Sequence, residues 1–422
     1  MKKIDEYTEE ELVYLQNKLL KEYAHFKNKH LHLDMSRGKP SSQQLDRSNG
    51  ILRVLDSYET EDGIDARNYG VLDGIPEAKR LFSDLLRIPD ANIIIGGNSS
   101  LNLMYDTMTR FMLFGSLGST PWCKLPKVKW LCPSPGYDRH FSVTESMGIE
   151  MIPVPMTEDG PDMEVVEKLV AKDELIKGMW CVPLYSNPQG ICYSAETIDR
   201  MCSMETAAED FRIMWDNAYG VHDIYEKIRL KDIFVTAKKF HHKDRIMYFF
   251  STSKITFPGA GVALIAASKR NIAEIKKHMS VQTIGYDKLN QLRHVKYFGT
   301  ADGIRAHMQE LAKDLRPKFD VVLKTLEREI GDSGFATWME PKGGYFISVD
   351  TLPGCAKETV ALAKEAGVIL TAAGATYPYG NDPHDSNIRI APSYPTVEEL
   401  AQAMNLFCLC VKLAGVTNLL EI

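Results

Sequence analysis

The sequence predicts an α/β fold with a mostly parallel sheet, joined through a long helix to a smaller α+β lobe. Three observations carry that expectation. The chain has 422 residues, 44% of them hydrophobic, which is enough for more than one lobe with its own core. Between Asn92 and Cys410, short β-branched or apolar runs alternate with longer helical patterns. After a long helical stretch from Asp302 to Ile330, the pattern changes to that of a compact lobe.

In order along the chain, Leu12, Tyr14, Leu15, Leu19, Tyr23 and Phe26 recur at helical steps and predict an amphipathic helix over Thr8 to Lys27. A turn-rich stretch follows at Ser36 to Ser42. Seven runs then read as strands: Ile93 to Ile95, Lys129 to Cys132, Met151 to Val154, Gly178 to Val182, Arg212 to Trp215, Met247 to Phe250 and Gly261 to Ala266. Pro317 predicts a kink in the long helix. The smaller lobe reads as strand Gly344 to Val349, helix Ala356 to Ala366, strands Val368 to Leu370 and Asn387 to Ala391, and helix Val397 to Ala414.

Composition excludes several classes. Fifty Lys and Arg against 56 Asp and Glu give a net charge of -6 with no long basic cluster, so neither a nucleic acid nor another extended polyanion is an expected partner. The acidic, mixed start from Met1 to Glu11 is unlike a secretory signal. The apolar stretches around Gly259 to Ala267 and Leu406 to Val411 fall short of the ~20 residues that span a bilayer. A soluble cytoplasmic protein is expected. The eight cysteines form no Cys-x-x-Cys pair, so buried free thiols are expected rather than a disulfide framework or a metal site.

Three short segments carry chemistry. Ser251-Thr-Ser-Lys254 follows the apolar run Met247 to Phe250 and precedes a loop with Pro258 and Gly259. A lysine on a desolvated strand-to-loop junction can lose its proton and condense with a carbonyl, and the two serine hydroxyls can hold a phosphate. At the end of another apolar run stand Asp216 and Tyr219. A buried aspartate needs a cationic partner, for which a protonated pyridine nitrogen is one choice and a helix N-cap role the plainer alternative. Asn187-Pro-Gln-Gly190 is first of all a turn, and its asparagine is an amide held at a strand end.

Taken in order, Asn187, Asp216, Tyr219 and Lys254 resemble the residue set of the pyridoxal-phosphate enzymes of fold type I, specifically the class I aminotransferases. The segments Leu33 to Ser41, Gly96 to Ser100 and Ser251 to Thr256 are most similar to a divergent bacterial aspartate aminotransferase branch. The resemblance runs from about residue 33 to the end of the chain. It implies a large cofactor-binding domain over residues 49–310 with a mostly parallel seven-stranded sheet, a small domain over 311–422, and an N-terminal arm over 1–48 that joins the small domain.

The resemblance also implies roles. Lys254 binds the pyridoxal 5'-phosphate and moves the proton. Asp216 keeps the ring nitrogen protonated, and Asn187 and Tyr219 bond its phenolic oxygen. Tyr137 stacks on the ring. Gly97, Asn98, Ser99, Ser251 and Ser253 cradle the phosphate, for which a helix start is a ready anion site, and Tyr69 reaches it across a homodimer interface. Arg389 clamps the substrate α-carboxylate, with Gly38 approaching by its backbone, Asn187 assisting, and Lys288 in a region that can reach a neighbouring subunit's site.

Many members carry a phosphate-binding arginine where this chain has Val262. For a substrate's second carboxylate, Arg37, Lys39, Lys124, Arg139 and Lys288 are candidates by loop position alone. The implied reaction moves an amino group between an α-amino acid, aspartate or glutamate, and a 2-oxo acid. A β-lyase or β-decarboxylase would use the same residues. A ligand-sensing regulatory module on this fold would carry a winged-helix segment ahead of the domain, and the stretch before the matching part is too short for one.

Overall fold

A computed structural model of the chain describes residues 2–421. Thirteen strands occur in chain order: β1 (Leu33–Asp34), β2 (Ile93–Ile95), β3 (Lys129–Ser134), β4 (Glu150–Thr157), β5 (Gly160–Pro161), β6 (Ile176–Cys181), β7 (Arg212–Asp216), β8 (Ile246–Ser251), β9 (Ala263–Ala267), β10 (Ala336–Trp338), β11 (Ile347–Thr351), β12 (Val368–Ile369) and β13 (Asn387–Ile390). The main sheet has the order β2-β9-β8-β7-β6-β3-β4-β5. Strands β8, β7, β6, β3 and β4 pair in parallel, and β9 runs antiparallel to both β2 and β8.

All seven expected strands fall in this sheet, but the sheet has eight members. The extra one, β5, is two residues long and turns back on β4 as an antiparallel hairpin. Gly160-Pro161 carries no apolar run for a sequence pattern to detect. Strands β6, β7, β8 and β9 are buried over their length on both faces, which is why they read as continuous apolar runs and not as alternation. In such a sheet the loops at the carboxyl ends of parallel strands are the natural ligand site. Those ends lead directly to Tyr137, Asn187, Asp216 and Lys254.

The smaller lobe holds a three-stranded antiparallel sheet, β10-β11-β13, and the parallel pair β1 with β12. Strand β11 begins later than the sequence pattern suggests because Gly343 and Gly344 are diverted to the main lobe. Gly344 N–H donates to the carbonyl of His222 at 2.9 Å, and Gly343 bridges Asp223. The linking helix, Ala301–Glu329, runs through Pro317 as one element, as the expected long helix with that proline inside it requires.

The amino-terminal helix, Glu9–Lys27, starts at a reciprocal cap. Thr8 Oγ1 accepts from Glu11 N–H at 3.3 Å, and Glu11 Oε2 accepts from Thr8 N–H at 2.9 Å. Its buried Leu12, Leu19 and Tyr23 join the core of the smaller lobe, and Gln16 bonds Thr417 on the last helix. That last helix, Val397–Glu421, corrects a sequence expectation. It is long and apolar enough to cross a membrane, an 18-residue stretch of it having a mean hydropathy of 1.6, yet 72% of that stretch is buried inside the protein. Of the eight cysteines, all unpaired, Cys123 is exposed where a buried thiol was expected.

Candidate active site

At the end of β7, Asp216 is buried, and its Oδ2 accepts from His140 Nε2 at 3.0 Å. Its Oδ1 is buried and has no partner. A carboxylate held with one oxygen satisfied and the other bare is costly unless a donor arrives, and a cationic N–H is the donor best matched to it. Asp216 therefore is not a helix cap. His140 was not singled out from the sequence. It lies on the helix Asp138–Ser146, stacked on Trp180 with ring centres 4.4 Å apart, so packing fixes the imidazole that orients Asp216.

Beyond β8, Lys254 is half-buried with its Nζ 5.1 Å from the ring centre of Tyr219 and 5.8 Å from that of Tyr345. Burial lowers its pKa from the ordinary lysine value and nearby Arg389 reinforces that, against an opposing pull from Asp216. Burial, with Tyr137 and Asp216 nearby, pushes the Tyr219 phenol well up, so it stays a hydrogen-bond donor. The Tyr137 phenol rises to about 12, chiefly through burial. Beneath the lysine, His222 Nε2 donates to the Lys254 carbonyl at 3.3 Å.

The loop bearing Lys254 is tied to the start of the helix Ser100–Phe114. Ser251 Oγ donates to Ser253 Oγ at 3.1 Å, Ser253 Oγ to the Asn98 carbonyl at 3.2 Å, and Asn98 Nδ2 to the Pro258 carbonyl at 3.1 Å. Ser99 stands at the N-cap and its side chain caps nothing, which leaves the first-turn N–H groups and its own hydroxyl for another acceptor. Gly97 lies on the same turn. Val262 is 2% exposed and belongs to the core, so no cation enters the cradle from that position.

The smaller lobe contributes Arg389 on β13, 6% exposed. Its Nη1 donates to Asp138 Oδ1 at 2.9 Å and to Asn187 Oδ1 at 3.2 Å, its Nη2 to Thr371 Oγ1 at 3.3 Å, and its buried Nε has no partner. Because a guanidinium only donates, this contact fixes the Asn187 amide with its oxygen toward Arg389 and its NH2 free to turn to another acceptor. The ring of Phe346 lies 4.8 Å from the guanidinium carbon. Gly38 presses on the same ring: a Cβ there would come within 2.4 Å of Phe346 Cζ, so any side chain would have to push that ring aside.

Two expected residues stand apart from this cluster. Tyr69 is 81% exposed and points to no group of its own chain's site. Lys288 is buried, and its Nζ donates to the Gly70 carbonyl at 3.0 Å, which ties it to the Tyr69 loop of its own chain. Arg37, Lys39, Lys124 and Arg139 are exposed, with Lys39 lying over the ring of Tyr394. A separate cleft of about 840 Å³, lined by Trp215 and Asn217 on either side of Asp216, contains neither Asp216 nor Lys254.

The arrangement offers a buried carboxylate with one oxygen hydrogen-bonded and one bare, a desolvated amine, an anion cradle and a guanidinium with one open edge. The family model described as aspartate amino-transferase matches residues 7–421. A candidate aminotransferase of Mycolicibacterium smegmatis is 50% identical over 404 residues, covering 94% of each chain. A crystal structure of an aspartate transaminase from Corynebacterium glutamicum is 45% identical, with a TM-score of 0.96 and 98% of both chains covered. An α-aminoadipate aminotransferase from Thermus thermophilus, complexed with N-(5'-phosphopyridoxyl)-L-leucine, shares the fold at 19% identity and a TM-score of 0.75, covering 95% of each chain. Family model, relatives and site chemistry agree, and the chain belongs to the aspartate aminotransferase family as an aminotransferase.

Proposed function

We propose that this aminotransferase works with pyridoxal 5'-phosphate and moves an amino group between aspartate or glutamate and a 2-oxo acid. The observation that carries the cofactor is the bare, buried Oδ1 of Asp216, which a protonated ring nitrogen satisfies. Bound there, the cofactor supplies an aldehyde and an electron-withdrawing ring.

The chain's own residues do the remainder. Asp216, oriented by His140, accepts from the ring N–H. Tyr219 and the Asn187 NH2 donate to the ring oxygen. The turn at Gly97, Asn98 and Ser99 holds the phosphate together with Ser251 and Ser253, and Tyr137 stacks on the ring. Lys254, its pKa lowered by burial, is the base that takes and returns the proton at the substrate Cα. Arg389 offers its open Nε–Nη2 edge to the α-carboxylate, and a planar fork on a carboxylate fixes the substrate's orientation.

Aspartate as donor is supported by the family and by the activity named for the Corynebacterium relative. A homodimer is supported by a run of exposed apolar side chains near Tyr69. It includes Ile284 and Val281 at one helix end, and Tyr105 and Phe114 on the neighbouring helix, linked by Phe114 stacked on His278. A second copy covering this patch brings Tyr69 to its partner's phosphate. An amino-donor screen against 2-oxoglutarate, followed by the absorbance change of the coenzyme, tests the whole reading. Aspartate should exceed alanine, and equal rates on the two would remove the dicarboxylate preference.

A further inference from the structure

Arg389 is buried, and a buried guanidinium without a counter-charge is costly. Its nearest carboxylate is Asp138, at 2.9 Å from Nη1. Among the described residues no other acidic side chain pairs with it. The guanidinium assigned above to a substrate carboxylate is thus already compensated from within the chain. The Asp138 side chain is 30% exposed against 6% for Arg389, so one member of the pair is anchored and the other can turn to water. Asp138 is also the first residue of the nine-residue helix Asp138–Ser146, where free N–H groups favour a carboxylate that leaves Arg389.

We propose that Asp138 is an internal stand-in for the substrate's α-carboxylate. From Nη1 it neutralises Arg389 in the free enzyme, and it loses its hold on that charge when the carboxylate of an amino acid or 2-oxo acid takes the open Nε–Nη2 edge. This rests on the assignment of Arg389 as the carboxylate clamp. The pair sets carboxylate affinity from inside the site: it protects the free enzyme from an uncompensated charge and weakens binding of any carboxylate ligand by competing with it. Asp138 does not touch the reacting atoms and acts through Arg389 alone.

The test uses the holoenzyme and two variants, Asp138→Asn and Asp138→Glu. Succinate, which carries carboxylates but no amino group, is titrated calorimetrically. With Asp138→Asn, succinate should bind roughly tenfold tighter or more, as expected for removal of a charge-assisted competitor. KM for the amino donor should fall with it, while kcat changes much less. Asp138→Glu keeps the charge and should bind succinate within about twofold of the parent, which also covers the case in which the asparagine variant folds poorly.

Weaker succinate binding in Asp138→Asn would mean that Asp138 only positions Arg389, and would overturn the proposal. So would unchanged affinity in that variant, or a tenfold gain in Asp138→Glu. Because succinate binding needs no turnover, failure of the amino-group chemistry shows separately, as a parent enzyme that binds succinate and turns over no donor.

Discussion

The two halves of the site are built differently. The half assigned to the cofactor comes from consecutive carboxyl ends of one parallel sheet: Asn187 after β6, Asp216 closing β7, Lys254 after β8. Each is placed by the strand before it, and buried backbone ladders hold those strands. The half assigned to the substrate is assembled from pieces far apart in the chain: Gly38 beside β1, Asp138 at a helix start in the large lobe, Thr371 and Arg389 in the small lobe. One half is a property of a sheet edge. The other is a property of how two lobes meet, so it can change affinity without rebuilding the chemistry.

That contrast can be broken most severely at Lys254. Lys254→Ala should lower turnover by at least ~10²–10⁴-fold, the range for a positioned acid–base group, and a variant turning over at the parent rate would dismantle the cofactor half. Next comes Asp216→Asn, which keeps the shape and removes the charge. A loss of ~10²-fold or more in kcat is expected, with KM moving little, whereas an effect confined to KM would erase the distinction between the halves. Arg389→Lys should do the reverse. It keeps the charge and loses the fork, so KM should rise by roughly ten- to a hundredfold, as for a lost charge-assisted hydrogen bond, with a smaller change in kcat.

Smaller effects come from pH. The neutral Lys254 amine is the active form, so kcat should rise as pH climbs through its lowered pKa and level off below the ordinary lysine range. A rate still rising up to the ordinary lysine pKa of ~10.4 would show that the amine is not desolvated. Two histidines under the lysine loop report on stability. Burial pulls His222 down to about 3 and His294 to about 4, both below the ordinary 6.5. Between those values and 6.5 the unfolded chain takes up protons that the folded one refuses. Stability should therefore fall on acidification, by about 1.4 kcal/mol per pH unit for each histidine. His294→Gln should flatten the dependence of Tm on pH between 6.5 and 4, and an unchanged slope would reject it as a contributor.

The cofactor half was legible in the sequence because a buried parallel strand is a continuous apolar run, and the first polar residue after it marks the sheet edge. Asp216 announces itself that way, and so does Ser251, three residues ahead of Lys254. His140 did not, since a histidine between Tyr137 and Phe141 has no local signal that it faces a carboxylate on another strand. The burial of Lys288 had no local signal either: a lysine in a loop-to-helix segment looks exposed, and its packing against Gly70 depends on two segments folding together. Strands β1, β5 and β10 escaped notice because they are too short to carry a pattern.

By itself the sequence determined the α/β layering, the strands that end in functional residues, and the family to which they belong, because these follow from hydrophobic periodicity and local residue order. Only the tertiary structure decided that Asp216 keeps one oxygen bare, that the Phe346 ring crowds Gly38, and that Arg389 meets Asp138 across the lobes. Those depend on desolvation and on distances between segments hundreds of residues apart in some cases, and neither is written in the spacing of a linear chain.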